Sequence, residues 1–485
     1  MRKIRKTRKI GAFVSSVSFV SRMFSRILSA MALRTMRALG TLARKQLKHP
    51  FKWIERVLLG TFLVCRAWLF YVTAGVPAGF DAGAHIEMLT KLSWMHPDIA
   101  VRDSFYSYHP PMGFLMARTF HLLGLTPEVS VQIVSALFAI LTFFFLRMTL
   151  QYLKILYTPA SIVFLYLGAA IPLQIYLATS INLESIILSA TAGILYCSVR
   201  LFWGKQPLAE QIPKHPATFA TYATATVSLL LFAMMTKFSG LLLFAIPPLV
   251  AALGKINRRW IQKMIIACAL CFIGLGIAFP YYYLRYEKTE GSFFPNNGDW
   301  IIKDALIEAR QKRDENPVLF FVNFFEPSPV HSEPEKGIRH RDYDVLRFSD
   351  TWRDIWIKDQ FLGDTKKSAE WIGVGYLWIF PMLMLIALPT FLLGFLNPSP
   401  WHKLGIVLLE FGALQMFAFI AYMYAHPFAG WGPAKGIYIA PVVWVIGFLV
   451  GTLFGEGELP LWRRIVLFVL IIVFVIVNHV IPVNA

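Results

Sequence analysis

Long apolar runs, separated by short charged or turn-forming stretches, repeat along most of the chain. A helix needs about 20 mostly apolar residues to cross a bilayer core. Runs of that kind lie at Val57–Gly75, Ser130–Leu150, Ala160–Ala178, Ile181–Phe202, Thr218–Thr236, Phe238–Leu253, Ile261–Tyr282, Trp371–Leu396, Leu404–Tyr424, Gly436–Phe454 and Ile465–Ile481. The fifth and sixth share one stretch of 36 residues, split here at Lys237-Phe238-Ser239-Gly240. The expected fold is therefore an all-α polytopic membrane protein of about 11 spans. Pro110–Leu123 is amphipathic and reads better as a helix on the membrane surface than as a crossing.

Composition agrees with this pattern. Hydrophobic residues make up 56% of the chain and charged residues 15%, whereas a soluble domain carries roughly 25% charged residues. Four segments follow: a basic N-terminal segment at 1–56, a membrane core at 57–282 containing a first outer loop at 76–129, a cap at 283–370, and C-terminal spans at 371–485. The cap has 88 residues, too short for an ordinary independent domain.

Charge adds direction. The formal net charge is +19, and residues 1–54 hold 14 Lys or Arg with no acid before Glu55. Charge placed beside spans suits anionic headgroups rather than nucleic acid. Arg22, Arg26, Arg34, Arg37, Arg44, Lys45 and Lys48 share one helical arc, with Phe24, Leu28, Met31, Leu39 and Leu42 opposite. That fits a helix lying in the headgroup plane; an Arg- and Ser-rich, acid-free start also matches a mitochondrial transit peptide. With the N-terminus cytoplasmic, the basic loops at 147–154, 200–214 and 255–259, Lys403, and Arg463-Arg464 all fall on the cytoplasmic side. Segments 76–129, 283–370 and 425–435 then fall outside. The four cysteines (Cys65, Cys197, Cys268 and Cys271) lie in apolar runs and read as small hydrophobes, not as disulfides or metal ligands.

Candidate chemistry gathers just beyond the first span. Asp81 and His85 are four residues apart and share a face if a helix starts there. A carboxylate at such a cleft can take a proton from an attacking hydroxyl; the same spacing also suits an N-cap Asp followed by a solvated His. Downstream, Tyr108-His109-Pro110-Pro111 precedes the amphipathic stretch, and the paired prolines end any earlier helix. Arg66, inside the first span, is expected to pair with Glu410 or to face a cavity. Trp352 and Trp356, four apart, read as a packed helix face.

The Asp81/His85 stretch, the His-Pro-Pro entry and the span layout together resemble the GT-C superfamily of membrane glycosyltransferases. The likeness lies with the branch that includes protein O-mannosyltransferases and lipid A aminoarabinose transferases. Asn182-Leu183-Glu184 is similar to the polar pair opening a membrane helix in that family, and Thr236-Lys237-Phe238-Ser239-Gly240 to its Lys-containing turn. Trp431 to Pro441, with Lys435 and Tyr438, is similar to its late motif, although Ile437 stands where relatives place Arg. The likeness covers roughly 57–455; segment 283–370 matches no family motif.

The resemblance implies transfer of a sugar from a polyprenyl- or dolichyl-phosphate donor. Asp81 would be the general base with His85 beside it. Lys237, Lys435 and Arg285 would hold the donor phosphate, and His109, Asn182, Glu184 and Tyr438 would line the substrate pocket. No organic cofactor is implied. The Asp-x-Asp or Asp-x-Glu pair that holds a divalent ion in the oligosaccharyltransferase branch is missing around Asp81, so either no metal is needed or another set of residues binds it. The expected partners are the lipid-linked donor and membrane lipids. A bacterial inner membrane fits the compact chain, and an endoplasmic reticulum membrane has the same topology. The rival reading, a multipass lipid or solute transporter, favours paired halves with discontinuous helices. Only one such break, at Lys237, is visible in the sequence.

Overall fold

The computed structural model describes residues 50–76, 82–93, 108–204, 216–253, 258–293, 303–325, 352, 355–356, 367–394, 399–425, 439–457 and 459–484. The chain divides into Met1–Val57 and Leu58–Ala485, and all the packing below belongs to the second unit.

Every regular element among the described residues is helical. In chain order these are α1 (Pro50–Thr73), α2 (Ala82–Lys91), α3 (Met112–Leu122), α4 (Pro127–Tyr152), α5 (Pro159–Ala170), α6 (Pro172–Leu177), α7 (Glu184–Phe202) and α8 (Pro216–Met234). A 3-10 turn over Phe238–Ala245 leads into α9 (Ile246–Ala252), and α10 (Arg258–Tyr282) follows. The remainder are α11 (Lys303–Glu315), α12 (Pro317–Phe325), α13 (Lys367–Leu393), α14 (Pro400–Ala425), α15 (Val442–Thr452) and α16 (Leu461–Asn484). Among the described residues, seven helices are long and apolar enough to cross a membrane, and four shorter apolar ones coincide with the expected third, sixth, eighth and tenth spans.

Helix α7 is the hub. It is buried along nearly its whole length and packs against α4, α8 and α9. Its sequence is apolar with no charge between Glu184 and Arg200, as full burial inside a bundle requires. Helix α10, by contrast, leaves Ile265, Phe272, Ile273 and Ile277 exposed, as does α16 with Val469, Leu470 and Val473. Such outward apolar faces suit lipid contact. Cys268 lies on an exposed face of α10, so only Cys65 and Cys197 are buried as expected.

Two breaks shape the bundle. The expected third span is split into α5 and α6, with Ile171 extended (φ −60°, ψ 137°). Pro172 causes it, because proline has no N–H to continue the ladder and its ring crowds the preceding turn. Carbonyl oxygens at such a break need donors inside a membrane, and Arg66 reaches three of them on the two sides of the break. Its guanidinium donates to the carbonyl oxygens of Ala169 at 2.6 Å, Gln174 at 3.3 Å and Ile175 at 3.5 Å. Glu410 is exposed, so the expected Arg66–Glu410 pair is replaced by this carbonyl clamp. Phe62 lies under the same guanidinium, 5.1 Å from its centroid.

The second break lies at Lys237, as expected. Its extended backbone (φ −158°, ψ 148°) ends α8, and the Lys237 N–H caps Ala233 O at 3.0 Å. Gly240 is required at the turn: a Cβ there would lie 2.4 Å from the Ala233 carbonyl carbon. Gly240→Ala is therefore expected to lower stability by about 1–3 kcal/mol, in the range of forced overpacking. Thermal unfolding in detergent measures it, and an unchanged midpoint would contradict the close approach.

Of the expectations about the outer segments, one changes and one is met. Residues 283–290 do not begin the cap but prolong α10 through a π-helical turn at Tyr283–Glu287. Trp356 is buried against Phe380, with centroids 4.4 Å apart, as the packed-face reading of the Trp pair expected.

Candidate functional site

The described parts of four stretches nominated in the sequence, around His85, His109, Glu184 and Lys237, meet at one corner of the helical unit, and local hydrogen bonding explains why. Pro110 and Pro111 have no N–H to give, so the first free donor after His109 is Met112. It donates across to Met235 O at 2.9 Å, tying the His-Pro-Pro entry to the Lys237 turn. The Tyr282 hydroxyl donates to Met234 O at 2.7 Å and brings the end of α10 to the same turn. Thus the carbonyls at the end of α8 are satisfied by two other elements, as a helix that ends inside a protein must arrange. Gly113 lets α3 come close, since a Cβ would stand 2.8 Å from Leu183 Cδ2 and 3.0 Å from Thr236 Cγ2.

Lys237 forms an ion pair with Glu184, whose side chain is only 7% exposed against 13% for the lysine. Glu184 is held at the start of α7 by Asn182. The Asn182 Oδ1 accepts from the backbone N–H of Glu184 at 2.8 Å and of Ser185 at 3.3 Å, and its amide donates to Ser180 Oγ at 2.5 Å. Asn182 is thus a cap within the fold rather than a pocket wall. Its effect on the site passes through Glu184.

His85 and His109 lie beside this pair. His85 is buried in the first turns of α2, its ring 5.5 Å from that of Phe114, so the solvated-His reading is corrected. His109 is buried too, between Tyr108 at 4.0 Å and Phe238 at 6.0 Å, centroid to centroid. Burial first, then the Lys237 ammonium and then His85, hold the His109 imidazole well below its ordinary 6.5. It is therefore neutral in the folded protein at physiological pH.

That shift carries a sign. Below pH 6.5 the unfolded chain takes up a proton that folded His109 refuses, so stability falls as pH falls. The slope is at most about 1.4 kcal/mol per pH unit for one proton. His109→Gln is expected to flatten the stability profile between about pH 6.5 and 5. A mutant with the same acid slope as the wild type would contradict it.

Arg285 is buried on the prolonged end of α10, rather than lying in a separate cap as the segment boundary at 283 implied. Its guanidinium lies 5.4 Å from the Tyr286 ring centroid, and Tyr286 in turn packs on Phe238 at 5.3 Å. The π turn matters here, since such turns re-aim side chains and recur at functional sites. Phe238, Tyr282 and Tyr286 form an aromatic wall that sequence reasoning missed. The signal available was Pro280 followed by Tyr281-Tyr282-Tyr283 and Tyr286 at the outer end of an apolar run.

The structure therefore gathers His85, His109, Asn182, Glu184 and Lys237, with Arg285 beyond the aromatic wall. Asp81, Lys435 and Tyr438 lie outside the described residues. Among the described residues no group of three or more His, Cys, Asp or Glu is placed to hold a metal. Chemically, the corner offers a fixed ammonium and a neutral imidazole.

Bundle and buried polar corner together define a polytopic α-helical membrane protein. Neither a protein-family model nor a curated protein sequence matches the chain. Among solved structures it is similar to ArnT from Cupriavidus metallidurans in the apo state, at 15% identity and a TM-score of 0.37, over 84% of this chain and 77% of that one. The membrane class rests on this protein's own helices.

Proposed function

We propose that this protein is a GT-C-type membrane glycosyltransferase. It takes a sugar from a polyprenyl- or dolichyl-phosphate donor and passes it to an acceptor at the non-cytosolic membrane surface. One observation carries the reading. Three stretches far apart in sequence, each singled out by the family resemblance, meet through the Met112–Met235 backbone bond and the Lys237–Glu184 pair.

In this reading Asp81 removes the proton from the acceptor hydroxyl or amine. The freed lone pair attacks the anomeric carbon from the face opposite the phosphate, and the carbon–oxygen bond to phosphate breaks with inversion. The departing lipid phosphate keeps the electron pair. Lys237, with Arg285 and Lys435, stabilises that charge from preset positions. A cation near the membrane is costly, roughly 2.5–3.5 kcal/mol at a span centre, and Glu184 offsets the cost in the resting protein. Neutral His109 adds no positive charge of its own. His85 stands beside the base, and Tyr438 completes the pocket. The bacterial inner membrane is the proposed location, with the endoplasmic reticulum as the alternative.

The test is sugar transfer from a lipid-phosphate donor by Asp81→Asn and Asp81→Ala, with protein levels matched. Both are expected to fall by about 10²–10⁴-fold, the usual worth of a general base. Full transfer in both variants would remove Asp81 from that role. Substrate-dependent counterflow in vesicles, with no glycosyl product, would favour a transporter instead.

A further inference from the structure

The outer helices α11 and α12 differ sharply in character. Eight of the 13 residues of α11 are charged, while the nine of α12, Pro-Val-Leu-Phe-Phe-Val-Asn-Phe-Phe, include none. Both dock on the same place, the final turn of α14. From α11, Arg310 Nε donates to Ala425 O at 3.1 Å, and Arg313 donates to Tyr424 O with its guanidinium 4.5 Å from the Tyr424 ring centroid. From α12, Phe320 and Phe321 each pack on Tyr424 at 5.5 Å, the second stacked at 7°.

The level of this contact is fixed by α14, a candidate span running from Pro400 to Ala425. Tyr424 and Ala425 are its end, so whatever rests on them lies at a membrane surface. The arginines cap the last carbonyls of that helix, where its dipole favours cations. The opposite side of α12 is left open: Val318 is 72% exposed and Val322 59%, one turn apart on the same face. On α14 itself, Phe417, two turns before Tyr424, is also exposed.

We infer that α12 is an interfacial helix whose Val318/Val322 face is immersed in the lipid leaflet on the side where α14 ends. Charged α11 stays above it in water. The inference does not depend on sugar transfer. The division is what the chemistry of an interface demands. An uncharged, aromatic-rich helix gains by burying its free face among acyl chains, and a helix with eight charges does not. The pair then works as a float that holds the outer end of α14 at a set depth, immediately before residues 426–438.

The full chain in phosphatidylcholine nanodiscs tests this. An environment-sensitive fluorescent amino acid is placed singly at position 318, 322 or 315, the last being exposed Glu315 on the charged helix. The expected result is several-fold stronger quenching by brominated lipid at 318 and 322 than at 315, with the reverse order for aqueous iodide. Iodide quenching at 318 and 322 equal to that at 315 would overturn the inference. Protection from both quenchers would also overturn it, by showing that protein, such as a second copy, covers the face.

Discussion

Truncation of Glu184 to alanine is expected to destabilise the folded protein by about 3–5 kcal/mol, the cost of leaving a buried ion without its partner. The Lys237 ammonium would remain at the end of α8, held there by the Lys237 N–H bond to Ala233 O and by the close packing of Gly240. Lys237→Met should cost a similar amount, because it strands the Glu184 carboxylate. The double change Glu184→Gln with Lys237→Met removes both charges and keeps most of the volume. It should therefore recover much of the loss. Sugar transfer should not recover, since the cation assigned to the leaving phosphate is gone. Unfolding in detergent and transfer assays on the same preparations separate the two roles. If the double variant regains transfer with stability, the lysine is a structural ion alone. If the single variants melt like the wild type, the pair is not buried as described.

The second large effect is expected at Arg66. Arg66→Leu removes a donor from the carbonyl of Ala169, just before the Pro172 break, and from those of Gln174 and Ile175 in α6, of which Ile175 also accepts from Ala178 N–H. Each orphaned group costs about 1–3 kcal/mol. The loss is partly offset because an arginine in a span is itself unfavourable by roughly 2.5–3.5 kcal/mol. With two carbonyls orphaned, because Ile175 O keeps the Ala178 N–H, the net expectation is a loss of about 1–3 kcal/mol. Arg66→Gln, neutral but still a donor, should fall between the two. Arg66→Lys should not restore stability, because a single ammonium cannot span three acceptors as a planar guanidinium does. Unfolding midpoints decide the order. A leucine variant as stable as the parent would show that the carbonyls find other partners and that the clamp is incidental.

Much of the architecture was legible in the residues. Length and apolarity alone marked where the apolar helices lie, seven of them among the described residues long enough to span, because a bilayer leaves a helix little choice of composition. The Lys237 break could be read because Lys, Ser and Gly interrupt an apolar stretch too long for one crossing. The break at Pro172 could not, since one proline in a run is as compatible with a kinked span as with two short helices. What chose between them was Arg66, 103 residues before Ala169, reaching carbonyls on both sides of the break. Arg285 was misplaced for a related reason: the apolar pattern stops at Tyr282, whereas the helix continues through a π turn that no periodicity announces.

The candidate site divides in the same way. His85, His109, Asn182, Glu184 and Lys237 could be nominated from the sequence through the motifs that carry the family resemblance. Their separate jobs were not recognisable. Tertiary packing made Asn182 a cap, paired Glu184 with Lys237, and kept His109 neutral by burying it beside that lysine. Sequence determines which segments must leave water, because that follows from each residue's own hydration. Which polar groups then share a corner depends on contacts between distant segments, and those exist only once the helices have packed.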